Sequence, residues 1–187
     1  PVVEKEPKGE LVLPEKDKGC SQTFAYLTKT RGIDCGIVGE MIKQGKIYQA
    51  ITHKDGYHFK NCAFVGYDEN GKARYCALRA PGKDSKFRQD VENSDKTYGF
   101  CMEGHSDRVY EFEAPIDAMS HATLCKLYGM DWQEDHRVAE GCLSDKALAR
   151  YLKLHPGIRE IVFCYDNDVN GRDAKGQPHN HGQVQAV

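Results

Sequence analysis

The sequence predicts an α/β fold in its second half, preceded by a smaller α+β part. Three strand-like runs, residues 109–113, 137–142 and 160–165, alternate with two runs whose apolar residues recur at helical spacing. This β-α-β-α-β order predicts parallel strands joined by right-handed crossovers. In the first half, two β-rich runs at 61–67 and 72–79 flank an Asp-Glu-Asn-Gly turn and predict a hairpin.

The two helices of the second half have recognisable ends. Pro115 suits the first position of a helix, and Gly129 is placed to end it. Ser144 and Asp145 are suited to cap the second helix, which stops at the His-Pro-Gly of residues 155–157. The apolar stripes consist of Ile116, Met119, Thr123 and Leu127 in the first helix and of Leu148, Tyr151 and Leu152 in the second.

The first half is less regular. Residues 1–19 are polar and interrupted by prolines, which is typical of a linker. Helices are predicted at 21–27 and 36–44, and irregular structure at 80–94. The predicted organisation is a linker at 1–19, an α+β subdomain at 20–105 and an α/β domain at 106–187.

Composition places the chain among soluble globular proteins. It has 187 residues, of which 40% are hydrophobic and 29% charged, and its longest apolar runs are too short to span a bilayer. The first residues lack the pattern of a signal peptide. Among the eight cysteines no two are separated by only two to four residues, which argues against a zinc ribbon or finger and favours reduced thiols. We therefore expect a cytoplasmic protein without membrane contact.

The charges are unevenly distributed. Residues 20–100 contain 13 Lys and Arg against 9 Asp and Glu, whereas residues 101–187 contain 9 against 14. A basic half joined to an acidic half suggests an anion-binding surface beside a cation-binding one. Alternatively, this uneven distribution of charged residues arose by chance.

Carboxylates follow two of the three predicted strands. Glu113 ends the first strand, Asp117 lies one helical turn beyond it, and Asp166 and Asp168 follow the third strand. Ligands bind at the carboxyl ends of parallel strands, so we expect these side chains to share a pocket. Clustered carboxylates repel one another, and a cation that prefers oxygen ligands, Mg²⁺ or Mn²⁺, relieves that repulsion. Alternatively, the Asp-x-Asp is a solvated turn and the other acids serve a helix N-terminus.

These segments resemble the motifs of Toprim domains. Residues 109–119 are similar to the first motif, a strand ending in Glu with an Asp four residues on, although Ala114 stands where many members have Gly. Residues 161–171 resemble the second motif, a strand ending in Asp-x-Asp, and 139–145 resemble the middle strand. The resemblance implies a Rossmann-like, mostly parallel sheet. It also implies that Glu113 acts in acid–base or metal chemistry and that Asp166 and Asp168 bind Mg²⁺.

The first half is similar to the N-terminal subdomain of bacterial DNA primase catalytic cores. The similarity rests on a helix followed by Arg31-Gly32, then the hairpin, then the Asn-Ser of residues 93–94. More narrowly, the chain resembles primase-like Toprim proteins of plasmids and integrative elements. The resemblance implies Mg²⁺- or Mn²⁺-dependent primer synthesis from nucleoside triphosphates on single-stranded DNA, with a helicase or relaxase as a further partner. It also implies that a zinc module lies upstream and that the Toprim domain is incomplete at its C-terminal end.

A basic cluster on the hairpin and the loop after it predicts phosphate binding without base recognition. The side chains expected to bind nucleic acid or nucleotide are Arg74, Arg79, Lys86, Arg88 and Lys96. The interleaved Tyr75 and Phe87 are expected to stack on unpaired bases. Basic residues on a hairpin can also serve solubility alone.

Three functions remain open at this point. The first is a primase, the second a Toprim nuclease that uses the same carboxylates, and the third a non-catalytic DNA-binding module of a mobile element. Basic side chains near Asp166, namely Arg79, Lys86 and Lys96, would favour the primase, because primer synthesis has to hold nucleotides beside the metal.

Overall fold

Two β-sheets, one from each half of the chain, carry the fold. The computed structural model describes residues 9–82, 85–141, 145–166, 172 and 180. Asp168 and Ser144 lie outside these residues. Among the described residues no helix is long and apolar enough to cross a membrane. The cysteines within them, seven in number, are free thiols.

The first sheet is antiparallel and has the strand order β1-β2-β3-β4-β5. Its strands are β1 (Glu15–Lys16), β2 (Ile47–Lys54), β3 (Tyr57–Tyr67), β4 (Ala73–Arg79) and β5 (Arg88–Asp90). The predicted hairpin is confirmed as the pair β3 and β4. Strand β2 was not predicted, although it is joined to β3 by Asp55 and Gly56, whose φ angles of 51° and 78° are typical of a two-residue hairpin turn.

Two short helices pack on the inner face of this sheet. The first, α1 (Ser21–Ala25), continues as a π-helical turn, Tyr26–Thr30. The second, α2 (Cys35–Lys43), begins at Asp34, whose carboxylate accepts hydrogen bonds from the amides of Gly36 and Ile37 at 2.8 and 3.2 Å. Both predicted helices are therefore present, with slightly different ends.

The second sheet has the order β6-β8-β7-β9 and contains the predicted α/β unit. Strand β7 pairs in parallel with β8 and with β9, as the β-α-β-α-β pattern predicts. The elements are β6 (Phe100–Met102), β7 (Arg108–Phe112), α3 (Pro115–Leu127), β8 (His136–Ala139), α4 (Lys146–Leu154) and β9 (Glu160–Phe163). The α/β fold class is thus confirmed, while the short antiparallel edge strand β6 was not predicted.

Helices α3 and α4 cover opposite faces of the second sheet. On β7, Phe112 packs with Ile116 and Met119 of α3. Val109, which points to the other face of the same strand, packs with Leu148 of α4. The alternation along β7 therefore fixes which helix lies on which side.

The two halves of the chain share one hydrophobic core. Phe64 of β3 and Phe100 of β6 contact edge to face, with ring centroids 6.1 Å apart, in a cluster that also holds residues of α2 and α3. At the same junction Gly66 lies directly against the backbone of Tyr98, where a Cβ atom has no room. Strand β6 precedes the predicted domain boundary at 105–106 yet belongs to the second sheet, and that boundary stays a prediction.

Candidate metal and nucleotide site

Glu113 and Asp166 meet at the carboxyl ends of neighbouring strands. Strand β7 ends one residue before Glu113, and β9 ends three residues before Asp166. Because the two strands are paired in parallel, these ends lie at the same edge of the sheet. The amide of Asp166 donates a hydrogen bond to Oε1 of Glu113 at 3.2 Å. One carboxylate oxygen of Glu113 is therefore oriented by the backbone.

Asp117 approaches the same place from the first turn of α3. Burial raises the pKa of its carboxyl group, and the negative charge of Asp166 raises it further. The positive charges of Arg31 and Arg79 act in the opposite direction. Asp117 therefore interacts electrostatically with Asp166, Arg31 and Arg79, which line the same cleft.

The donor set at this position fits a divalent cation that prefers oxygen. Within the described ranges no three potential metal ligands form a ready-made cluster, and Asp168 falls outside those ranges. Mg²⁺ commonly takes only one or two protein carboxylates and completes its shell with water and phosphate oxygens. Glu113 and Asp166 supply two such carboxylates, and a cation between them would relieve the repulsion in this group.

These carboxylates line a cleft of 1180 Å³ that both halves of the chain form. Glu113, Asp117 and Asp166 come from the second half. The basic side chains that line the same cleft are Arg31, Arg79, Arg88, Lys96 and Lys146. An acidic group and a basic group therefore border one space.

Arg79 and Arg88 are the most informative of these cations. They are directly opposite each other on β4 and β5, a position in which like charges destabilise a sheet. Arg79 is partly buried and its Nε donates to the hydroxyl of Tyr26 at 3.1 Å, whereas Arg88 is exposed. An anion bound between them would relieve the repulsion.

The other predicted basic residues lie in different surroundings. Lys96 lines the cleft and forms an ion pair with Asp90 at 3.4 Å. Lys86 is exposed and does not line the cleft. Arg74 lies at the junction of the halves, where it forms ion pairs at 3.6 and 3.8 Å and stacks on Tyr98. The structure thus brings together Arg79, Arg88 and Lys96 but neither Lys86 nor Arg74.

The two aromatic residues expected to stack on bases differ in exposure. Tyr75 is fully buried, and its hydroxyl donates to Asp90 at 2.9 Å, so the expectation for this residue is wrong. The misleading signal was its place between basic residues in sequence. Tyr75 lies on the same face of β4 as Arg79, but it is enclosed against Gly141 and Asp90. Phe87 is 41% exposed, and its expected role stays a prediction.

Arg31 and Lys146 were not among the predicted binding residues. Arg31 follows the π-helical turn, and Lys146 is the first residue of α4. The sequence singled out Arg31-Gly32 only as part of a family pattern. Nothing in the chain near Lys146 distinguishes it from a solvated lysine, because its position depends on how the two halves pack.

Comparisons with known proteins support the predicted resemblance to Toprim domains. Residues 110–183 match the model of a family described as Toprim-like, and residues 25–106 match a family described as a protein of unknown function, DUF3991. The chain therefore carries a Toprim-like domain, as the motifs predict. No curated protein matches the sequence significantly.

Solved structures with similar folds include several primases. The Escherichia coli primase catalytic core is 15% identical with a TM-score of 0.47, over 83% of this chain and 58% of that one. A second match comes from a structure of the bacteriophage T7 lagging-strand DNA polymerase with the primase domains of two gp4 subunits. The matched chain is 16% identical with a TM-score of 0.46, over 80% of this chain and 60% of that one. A DnaG primase catalytic domain bound to single-stranded DNA is 16% identical with a TM-score of 0.42, over 88% and 50%. The chain thus spans 50 to 60% of the length of these structures, and likeness at this level assigns no activity.

Proposed function

We propose that this chain is the catalytic part of a primase-like nucleotidyltransferase that makes primers on single-stranded DNA. The observation that carries the proposal is the shared cleft, in which Glu113, Asp117 and Asp166 border the same space as Arg79 and Arg88. Replication of a plasmid or mobile element is the proposed setting. Nucleoside triphosphates and template are the proposed partners, and a helicase or relaxase stays a prediction.

The carboxylates would hold Mg²⁺ or Mn²⁺. Glu113 and Asp166 are the described candidates, and Asp168 is the third by its place in the motif. When bound, such a cation neutralises the charge that develops on the transferred phosphoryl group. Oxygen-only donors fit this metal better than zinc, which favours nitrogen and sulfur ligands.

Glu113 is suited to proton transfer. The amide of Asp166 orients one of its oxygens at the edge of the cleft, and a carboxylate placed there can accept a proton from an attacking hydroxyl group. Asp117 has a raised pKa and lies between Asp166 and two arginines. We assign it to positioning, because the nearby arginines and the metal-binding carboxylate both respond to its charge.

The basic side chains are suited to bind phosphates. Arg79 and Arg88 face each other across β4 and β5, so a phosphate between them is contacted from both sides. Lys96 lines the same cleft, and Lys146 begins a helix whose N-terminus favours anions. Such contacts read no bases, which suits an enzyme that has to accept many template sequences.

One observation favours nucleotidyl transfer over hydrolysis. Arg79 and Lys96 line the cleft with Asp166, which is the arrangement expected if a triphosphate has to be held beside the metal. The cleft volume of 1180 Å³ exceeds the roughly 300 to 1,000 Å³ of ordinary small-molecule pockets. It therefore has room for a nucleotide together with part of a template strand.

The test is primer synthesis by the full chain with labelled nucleoside triphosphates, single-stranded DNA and Mn²⁺. We expect template-dependent products that Glu113→Gln and Asp166→Asn abolish. Glu92→Gln is the matched control, because this exposed acid lies outside the cleft and its substitution should leave synthesis unchanged. Degradation of the template instead of synthesis would show a nuclease. Absence of both, with Mn²⁺ binding by calorimetry undetectable in the wild type, would show a non-catalytic module.

A further inference from the structure

The β2–β3 hairpin extends beyond the rest of the first sheet. Strand β4 pairs with β3 only from the Cys62–Arg79 pair onward, so residues 57–61 have no partner on that side among the described residues. On the other side they pair with β2 up to the Asp55-Gly56 turn. The tip is therefore a two-stranded ribbon with solvent on both faces.

One face of this ribbon carries two exposed aromatic rings. Tyr57 is 69% exposed and Phe59 is 48% exposed. Side chains two residues apart on a strand lie on the same face, about 7 Å apart. The cross-strand neighbour of Tyr57 is Lys54, which is exposed and forms no ion pair with the described residues. The neighbour of Phe59 is Thr52.

We propose that this face, formed by Thr52, Lys54, Tyr57 and Phe59, is a stacking platform for single-stranded nucleic acid. Bases stack on aromatic rings without sequence preference, and a nearby cation binds the phosphates that connect them. The ring spacing of about 7 Å is roughly twice the 3.4 Å rise per base of a duplex strand. Each ring can therefore take one base of a stretched strand, a match that a base-paired duplex does not offer.

The position of the platform relative to the cleft gives it a role, which rests on the proposed function. Arg79 lines the cleft and pairs with Cys62, and Phe59 precedes Cys62 by three residues, about 10 Å along β3. Phe59 and Arg79 face opposite sides of the sheet. A template strand that leaves the cleft past Arg79 reaches the rings by crossing the free edge of β3 at residues 57–61, and the platform then holds template outside the catalytic space.

The test measures binding of fluorescein-labelled oligothymidylate to the full chain by fluorescence anisotropy in EDTA, so that no metal-dependent step contributes. We expect Tyr57→Ala with Phe59→Ala to weaken binding by about tenfold or more, because each stacked base contributes measurably. The double variant Tyr57→Phe with Phe59→Tyr keeps both rings and should bind like wild type. Tyr128→Ala is the matched control, since this ring is 79% exposed but lies at the end of α3.

The outcomes separate the platform from other uses of the same surface. Unchanged affinity in the alanine double variant would overturn the proposal, and so would an equal loss in Tyr128→Ala. If the alanine double variant instead turned a dimer into a monomer in sedimentation, with DNA affinity unchanged, the surface would be an interface between copies of this chain. If Glu113→Gln abolished primer synthesis and the alanine double variant bound oligothymidylate more weakly as expected, both proposals would stand. A wild type that makes primers yet loses no DNA affinity in the alanine double variant would remove only the platform.

Discussion

Replacing Arg88 by Ala tests whether the Arg79–Arg88 pair is an anion site. The two residues are opposite each other on β4 and β5, and both line the cleft. Neither has a carboxylate within ion-pairing distance among the described residues. An anion bound between them would relieve their repulsion, and the variant tests whether one binds there.

The expected magnitudes follow from this geometry. Two like charges about 5.5 Å apart, the spacing of directly opposite side chains, repel by roughly 0.8 kcal/mol in water and by about 3 kcal/mol at an effective dielectric constant of about 20. Arg88 is exposed, so the lower value applies, and Arg88→Ala should raise the unfolding free energy by up to about 1 kcal/mol without ligand. The salt slope is the slope of log affinity for single-stranded DNA against log salt concentration. Loss of one phosphate contact should lower this slope by about 0.7, which is about fivefold in affinity at about 0.1 M salt.

The assay combines urea unfolding with DNA binding at several salt concentrations. Lys86→Ala is the control, because Lys86 is two residues away and equally exposed but does not line the cleft. Lys86→Ala should change neither stability nor salt slope. An anion site at this pair would be excluded if Arg88→Ala destabilised the protein and kept the full salt dependence of DNA binding, or if both variants lost the same part of it.

Three further predictions concern Glu111, His121 and Gly141. Glu111 is 1% exposed, and among the described residues neither of its carboxylate oxygens makes a hydrogen bond of good geometry, although the Tyr165 hydroxyl lies close to it. Glu111→Met should therefore raise the urea unfolding free energy by about 1 kcal/mol or more; a decrease would contradict this. Burial, with the charge of Arg137, lowers the pKa of His121 to about 4. The unfolded chain takes up this proton near its ordinary pKa of about 6.5, so stability should fall as the pH drops from about 6.5 to 4, and His121→Gln should reduce that fall, as measured by thermal unfolding. Gly141 has a φ of 73° and no room for a Cβ atom beside Tyr75, so Gly141→Ala should cost about 1 to 3 kcal/mol, whereas Gly157→Ala, in open space, should cost less.

Local sequence signals predicted most of the second half correctly. Pro115 begins α3, and the alternation of strands and helices gives the parallel pairs that bring Glu113 next to Asp166. These features are encoded within about ten residues of each other or follow from the handedness of crossovers. Strand β6 was missed because three residues give too little periodicity to detect.

The basic part of the site was harder to predict, because it depends on which face of a strand each side chain occupies. Three of the expected residues lie close together in sequence: Arg74, Tyr75 and Arg79. Only Arg79 both lines the cleft and is partly exposed. Arg74 is instead held by Tyr98, just before β6, and the ring of Tyr98 also stacks on Arg150 of the second half at 4.1 Å. No pattern within the first half reveals that contact.

The site exists only because the two halves pack in one arrangement. The carboxylates follow strands of the second sheet and the pair Arg79 and Arg88 belongs to the first, so the distance between the acidic and the basic group is set by the junction and not by either sheet. At that junction Gly66 touches the backbone of Tyr98, and the Phe64–Phe100 contact continues the core across it. Protein interiors pack too densely to absorb a displacement of one sheet against the other at this junction. A side chain at position 66 would therefore separate the two charged groups while leaving each of them locally intact.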